Sequence, residues 1–273
     1  MKSTKSLWIV LSVLLFCNSA SATGGGCQLK RGLFERRLAL AASGAAYGGE
    51  ASESTPASKE LEVIDEQYFQ FMLRVSNAEN QQGTDLECCK DSTQDPVARI
   101  VCKFAKYLRT GKKDHRLLLD SVPTDPTGRE ALWALEPIAF FHDEHNPEDI
   151  PALFKPYGPV TLFLDELCQL VRLGDREALS KYLELYPYSD GEHAEEMDDQ
   201  LLKLLRSHLG TVLSEWDVFR DHRKALLKFM AFLPSDEKKV LRSKIHANKE
   251  CTLRSAACSE LKALLSIETP LRE

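Results

Sequence analysis

The sequence predicts an all-α protein built of stacked antiparallel helical hairpins, either an irregular α-solenoid or a helical bundle. Three observations carry that prediction. Apolar residues recur at i, i+3, i+4 and i+7 along most of the chain, the spacing of one helix face, rather than alternating as in a strand. Hairpin signals are nearly absent, since Asp190-Gly191 is not flanked by alternating segments. The breaks between periodic stretches combine Pro with Ser, Thr or Asp, the chemistry that stops one helix and caps the next.

Taken from the start, Lys2 and Lys5 precede an apolar run from Leu7 to Phe16, and Ala20-Ser21-Ala22 supplies a small-x-small pattern. This is the layout of a secretory signal peptide over residues 1–22. The run is far shorter than the roughly 20 residues that span a bilayer, and charges interrupt every later apolar run, so no transmembrane span is expected. Cys17 follows the bulky Phe16 and Cys27 follows three glycines; neither context suits lipidation as well as simple cleavage after Ala22. Loss of Lys2 and Lys5 with the leader would move the net charge from −6 to −8. That acidic balance argues against nucleic-acid binding, which needs clustered Lys and Arg.

Residues 23–58 are rich in Gly, Ala, Ser and Glu and read as a flexible tether, with at most a weakly held helix at Leu33 to Ala42. The helical domain is predicted over residues 59–273. Its stripes are Leu61, Ile64, Tyr68, Phe71 and Val75; Val97, Ile100, Val101, Phe104 and Leu108; Val160, Phe163, Leu164, Leu167 and Val171; and Leu201, Leu205, Leu209 and Val212. Leu226, Phe229, Met230 and Leu233 follow, then Leu241 and Ile245, then Cys258, Leu261 and Leu265. The stretch Leu132 to Leu135 with Ile138, Phe140 and Phe141 is apolar all round and reads as core.

Between the stripes stand Val122-Pro123-Thr124-Asp125, Tyr186-Pro187-Tyr188-Ser189-Asp190 and Leu233-Pro234-Ser235-Asp236. Asp114-His115-Arg116 and Asp221-His222-Arg223 open two helices alike. Cys102 and Cys168 are each followed by a glycine (Gly111, Gly174), a basic and acidic pair, an apolar helix and a Pro break. These similarities suggest a degenerate helical-hairpin repeat with uneven spacing.

Of eight cysteines, Cys17 falls in the leader. The odd remainder leaves at least one thiol without an intramolecular bridge. Cys251 with Cys258, and Cys102 with Cys88 or Cys89, are the local disulfides expected of an oxidising compartment. The first pair requires a chain break, because seven residues of continuous helix span about 10.5 Å while a disulfide holds Cα atoms within about 7 Å. Cys168, in an apolar stripe, is expected to be a buried thiol.

Two histidine groups are candidate metal ligands. His142 and His145 lie one helical turn apart, and so do His193 and Glu196, each a spacing suited to a divalent ion. Gly191-Glu192-His193-Ala194-Glu195-Glu196 also resembles, over its G-x-H-x-x-E letters, the metal site of imelysin-like proteins, exported helical proteins linked to iron. That resemblance implies iron or zinc on His193 and Glu196, although Glu192 stands where an apolar or aromatic residue is usual. The competing reading is structural: acids suit the first turn of a helix, and histidines suit its last.

The chain contains no G-x-S-x-G, no G-x-x-x-x-G-K-[ST], no G-x-G-x-x-G and no H-E-x-x-H, so no catalytic residue and no cofactor is assigned. The expected function is a non-catalytic exported scaffold binding a protein or envelope component. A metal-handling protein and an envelope hydrolase are the competing classes.

Overall fold

The computed structural model describes residues 29–43, 55–77, 89, 94–140, 151–155, 158–189 and 191–266, and among them every regular element is a helix. The leader, Cys27, Cys88, His142 and His145 lie outside the described residues.

The first helix, α1 (Leu33–Ala42), falls inside the predicted tether and corrects it. Leu33, Phe34 and Leu40 are buried. Arg37, on the same face, forks onto Asp65 with a bond of 2.6 Å from Nε, and both side chains are buried. The helix has the bounds the sequence allowed, but its buried apolar face and the Arg37–Asp65 pair hold it firmly rather than weakly. The Ser-Thr-Pro run that read as tether is instead a helix start. Thr55 Oγ1 accepts from the Ser58 amide at 3.1 Å, and Pro56 takes the first turn of α2 (Pro56–Asn77), where it loses no hydrogen bond.

On α2 the whole stripe from Leu61 to Val75 is buried. Tyr68 donates to Asp95 Oδ2 at 2.7 Å, while Asp95 Oδ1 caps α3 (Pro96–Arg109) by accepting from the Ala98 amide at 3.0 Å. Asp125 starts α5 (Pro126–Ala139) in the same way, after the short α4 (His115–Ser121). The next helix, α6 (Pro159–Arg172), is capped from a distance: Glu136 of α5 accepts from the Val160 amide at 3.0 Å. Gly158 permits that approach, with φ +86 and an Oε1 contact that a Cβ would clash with. Phe104 of α3 meets Phe163 of α6 edge to face at 5.1 Å and Phe154 at 6.3 Å, which joins these elements in one core.

Two helix–helix joins share one hydrogen-bond pattern. After α3, the Gly111 amide donates to Leu108 and the Lys112 amide to Tyr107. After α6, the Gly174 amide donates to Val171 and the Asp175 amide to Leu170, leading into α7 (Arg176–Leu185). Both are Schellman turns with a left-handed glycine, at φ +66 and +87. The hairpin likeness in the sequence therefore extends to the hydrogen bonds of the turn, although Lys112 takes φ +62 where Asp175 has φ −71.

The chain continues through a 3₁₀ turn at Tyr186–Tyr188, α8 (Gly191–Ser207), α9 (Leu209–Ser214), α10 (Trp216–Asp221), α11 (Arg223–Phe232), α12 (Ser235–Ala247), α13 (Glu250–Leu253) and α14 (Ser255–Leu265). Substantial packing is between helices near in sequence: α1 on α2, α2 on α3 and α5, α3 on α4 and α5, α5 on α6, α6 on α7 and α8, α7 on α10 and α11, and α14 on α11 and α12. At Leu233-Pro234-Ser235-Asp236 the expected Ser or Asp cap does not form: α12 begins at Ser235, which leaves Pro234 in the cap position with no side-chain capping bond.

Cys251 and Cys258 are bridged with Cα atoms 5.6 Å apart, and Arg254 breaks the helix between them so that α14 starts at Ser255. Cys102 pairs with Cys89. Cys168 is a buried free thiol whose pKa burial pushes up to about 11. No helix among the described residues is long and apolar enough to cross a membrane.

Candidate functional site

Amphipathic α7 buries Ala178, Leu179, Tyr182 and Leu183 and turns Arg176, Glu177 and Ser180 the other way. Opposite stands α10, anchored by buried Trp216 and Phe219 and by a 2.7 Å bond from Trp216 Nε1 to Glu260 of α14. Between them opens a cleft of about 460 Å³ lined by Arg176, Glu177, Ser180, Val218, Asp221 and His222. His222 sits at the junction of α10 and α11 with a non-helical backbone, φ −99 and ψ 41, and its Nε2 lies 2.9 Å from Ser180 Oγ.

The rim of this cleft is charged. Arg176 spans to Glu215 at 2.8 Å and to both oxygens of Asp217. Hydrogen bonding to Asp217, then to Glu215, raises the guanidinium pKa, and the same bond holds the Asp217 carboxyl below the usual range. Glu177 receives Arg116 of α4 at 2.9 Å. The second helix of one hairpin is thus linked to that of the next, and α7 in turn to α10.

His193 and Glu196, the metal-ligand candidates among the described residues, lie elsewhere. His193 and Glu196 share a face of α8 but meet different neighbours. The His193 ring stacks on Trp133 of α5, centroids 5.5 Å apart, and Glu196 accepts from Thr161 of α6 at 3.2 Å. Burial, with the charge of Asp165 close by, raises the Glu196 carboxyl pKa. Next to it Gln200 donates to Asp165 at 3.1 Å and accepts from Arg172, with Cys168 Sγ at 3.5 Å. Among the described residues no group of three or more His, Cys, Asp and Glu side chains is arranged to hold a metal ion.

Family models, curated proteins and solved structures offer no match to this chain. The functional reading rests on its own residues. Of the cleft, only Asp221-His222 had drawn attention in the sequence, as a helix opening; Ser180 gave no signal, because its partner lies 42 positions away and only the fold brings the two together.

Proposed function

We propose that this protein is an exported helical scaffold, a succession of stacked hairpins that offers one ribbed face to a protein or another component of the cell envelope. The observation that carries this reading is the repeated join. The hairpins α3–α4 and α6–α7 turn through the same pair of Schellman hydrogen bonds around a left-handed glycine, and Arg116–Glu177 followed by Arg176–Asp217 tie α4 to α7 and α7 to α10. Helical units that pack mainly on their neighbours generate extended binding surfaces. Exposed ion pairs add little to stability one by one, so this ladder serves register and surface charge more than cohesion. The leader-like N-terminus and the two disulfides among the described residues support an oxidising destination.

A photo-crosslinking residue placed at Asp120 or Arg220, both exposed on the ladder side, tests the reading in native extract. The same crosslinked species is expected from both positions and not from Gln70 on α2 or Lys239 on α12. An absence of crosslinks, or one species from all four positions, would contradict a dedicated face.

A further inference from the structure

We infer that Ser180 and His222 form a reactive dyad that accepts acyl groups from small uncharged esters bound in the α7–α10 cleft. The first support is what Ser180 does not do. Helical and turn serines commonly turn the hydroxyl back to a carbonyl three or four residues earlier. Ser43, Ser121, Ser189, Ser214 and Ser266 all do so, at 2.5 to 2.9 Å. Ser180, in the middle of α7, instead meets an imidazole nitrogen at 2.9 Å, the geometry of a hydroxyl next to its general base. The second support is access. Both side chains line the same cleft, and both are half-buried, so a ligand can reach them. A serine–histidine contact that only locked two helices together would not need to open on a cavity.

The lining sets the substrate class. Val218 supplies an apolar wall, Asp221 places a carboxylate at the edge, and the charges of Arg176 and Glu177 are already taken, by Glu215 and Asp217 and by Arg116 respectively. Anionic esters are therefore disfavoured, and a small neutral ester fits.

In the reaction, Ser180 Oγ adds to the ester carbonyl carbon while its proton passes to Nε2 of His222. The adduct collapses with cleavage of the bond to the alkoxy oxygen. His222 returns the proton to that oxygen, an alcohol leaves, and Ser180 carries the acyl group. Water then adds with His222 as base, releasing the carboxylic acid and the free serine. The arrangement requires the imidazole proton on Nδ1 before attack, and among the described residues no carboxylate is bonded to His222 Nδ1 to hold that tautomer, so turnover is slow and the acylated serine is the species to look for.

The test is an alkyl fluorophosphonate applied to the full chain, with peptide mapping of the adduct. Label on Ser180 is expected, absent in Ser180→Ala, slowed at least about 100-fold in His222→Ala, and unchanged in Ser214→Ala, whose hydroxyl bonds back to its own helix. In parallel, p-nitrophenyl acetate should acylate Ser180 faster than the anionic p-nitrophenyl succinate. No adduct on Ser180 of the wild-type protein, an unchanged rate in His222→Ala, or label spread evenly over other serines would overturn the dyad. Equal reaction of the two esters would overturn the substrate class. The wild-type mapping keeps the inference falsifiable even if a variant fails to fold.

Discussion

Single residues in this protein are placed by whichever neighbour relieves the cost of their burial. Arg37 and Asp65 show the rule at its strongest, since each would be a buried charge without the other. Glu196 shows it incompletely satisfied. Its carboxyl is partly buried, with Asp165 nearby and, among the described residues, the Thr161 hydroxyl alone donating to it. A carboxyl whose pKa is raised on folding binds its proton more tightly in the folded state. Stability from that proton is present below the unfolded-state value, about 4.3 for Glu, and is lost as pH rises through the folded value. Glu196→Gln, which mimics the protonated form, is therefore expected to be more stable than wild type at pH 7, with the difference closing on acidification to about pH 4. Thermal melts of both proteins across that range check it, and a difference independent of pH would show that the ionised carboxylate is not the source. None of this could be read from the sequence. Glu196 looked like a metal ligand or a first-turn acid because the α6 side chains that surround it come from more than thirty positions away.

Elements were far more legible than sites. The stripe on α2 and most of that on α3 are buried where the i+3 and i+4 spacing put them, because that spacing follows from helix geometry alone. The Cys251–Cys258 bridge was legible for the same reason, since the reach of a disulfide demanded a break before Ser255. The sequence reading allowed a helix at Leu33 to Ala42 but took it as weakly held, because the α2 stripe and Asp65 that it packs against lie on another helix. The glycines at the joins give a graded test. Gly174 has positive φ but open space around a Cβ, so Gly174→Ala should cost only the conformational penalty, about 1–2 kcal/mol. Gly158 has positive φ and also lies against Glu136 and Phe140, with a Cβ 2.7 Å from the Phe140 ring. Gly158→Ala should be clearly the more damaging, since it also displaces the carboxylate that caps α6. Equal losses in chemical denaturation would mean that the Glu136 cap contributes nothing.

At the scale of the whole molecule, the sequence indicated helices and a faint repeat but not how the units meet. Arg116 with Glu177, and Arg176 with Asp217, are contacts between residues that no local pattern couples. If the hairpins stack in succession, stability is a sum of neighbour interfaces, and damage at one end stays there. Leu261 of α14 is fully buried, against helices that belong to the C-terminal part of the chain. Truncating it should cost about 2–5 kcal/mol locally. Hydrogen–deuterium exchange of Leu261→Ala against wild type is the most direct measurement of the stacked architecture, on which the scaffold role depends. The account predicts that amide protection falls in α11 to α14 and is retained in α2 to α6. A uniform loss of protection along the chain would identify a single cooperative bundle and contradict it.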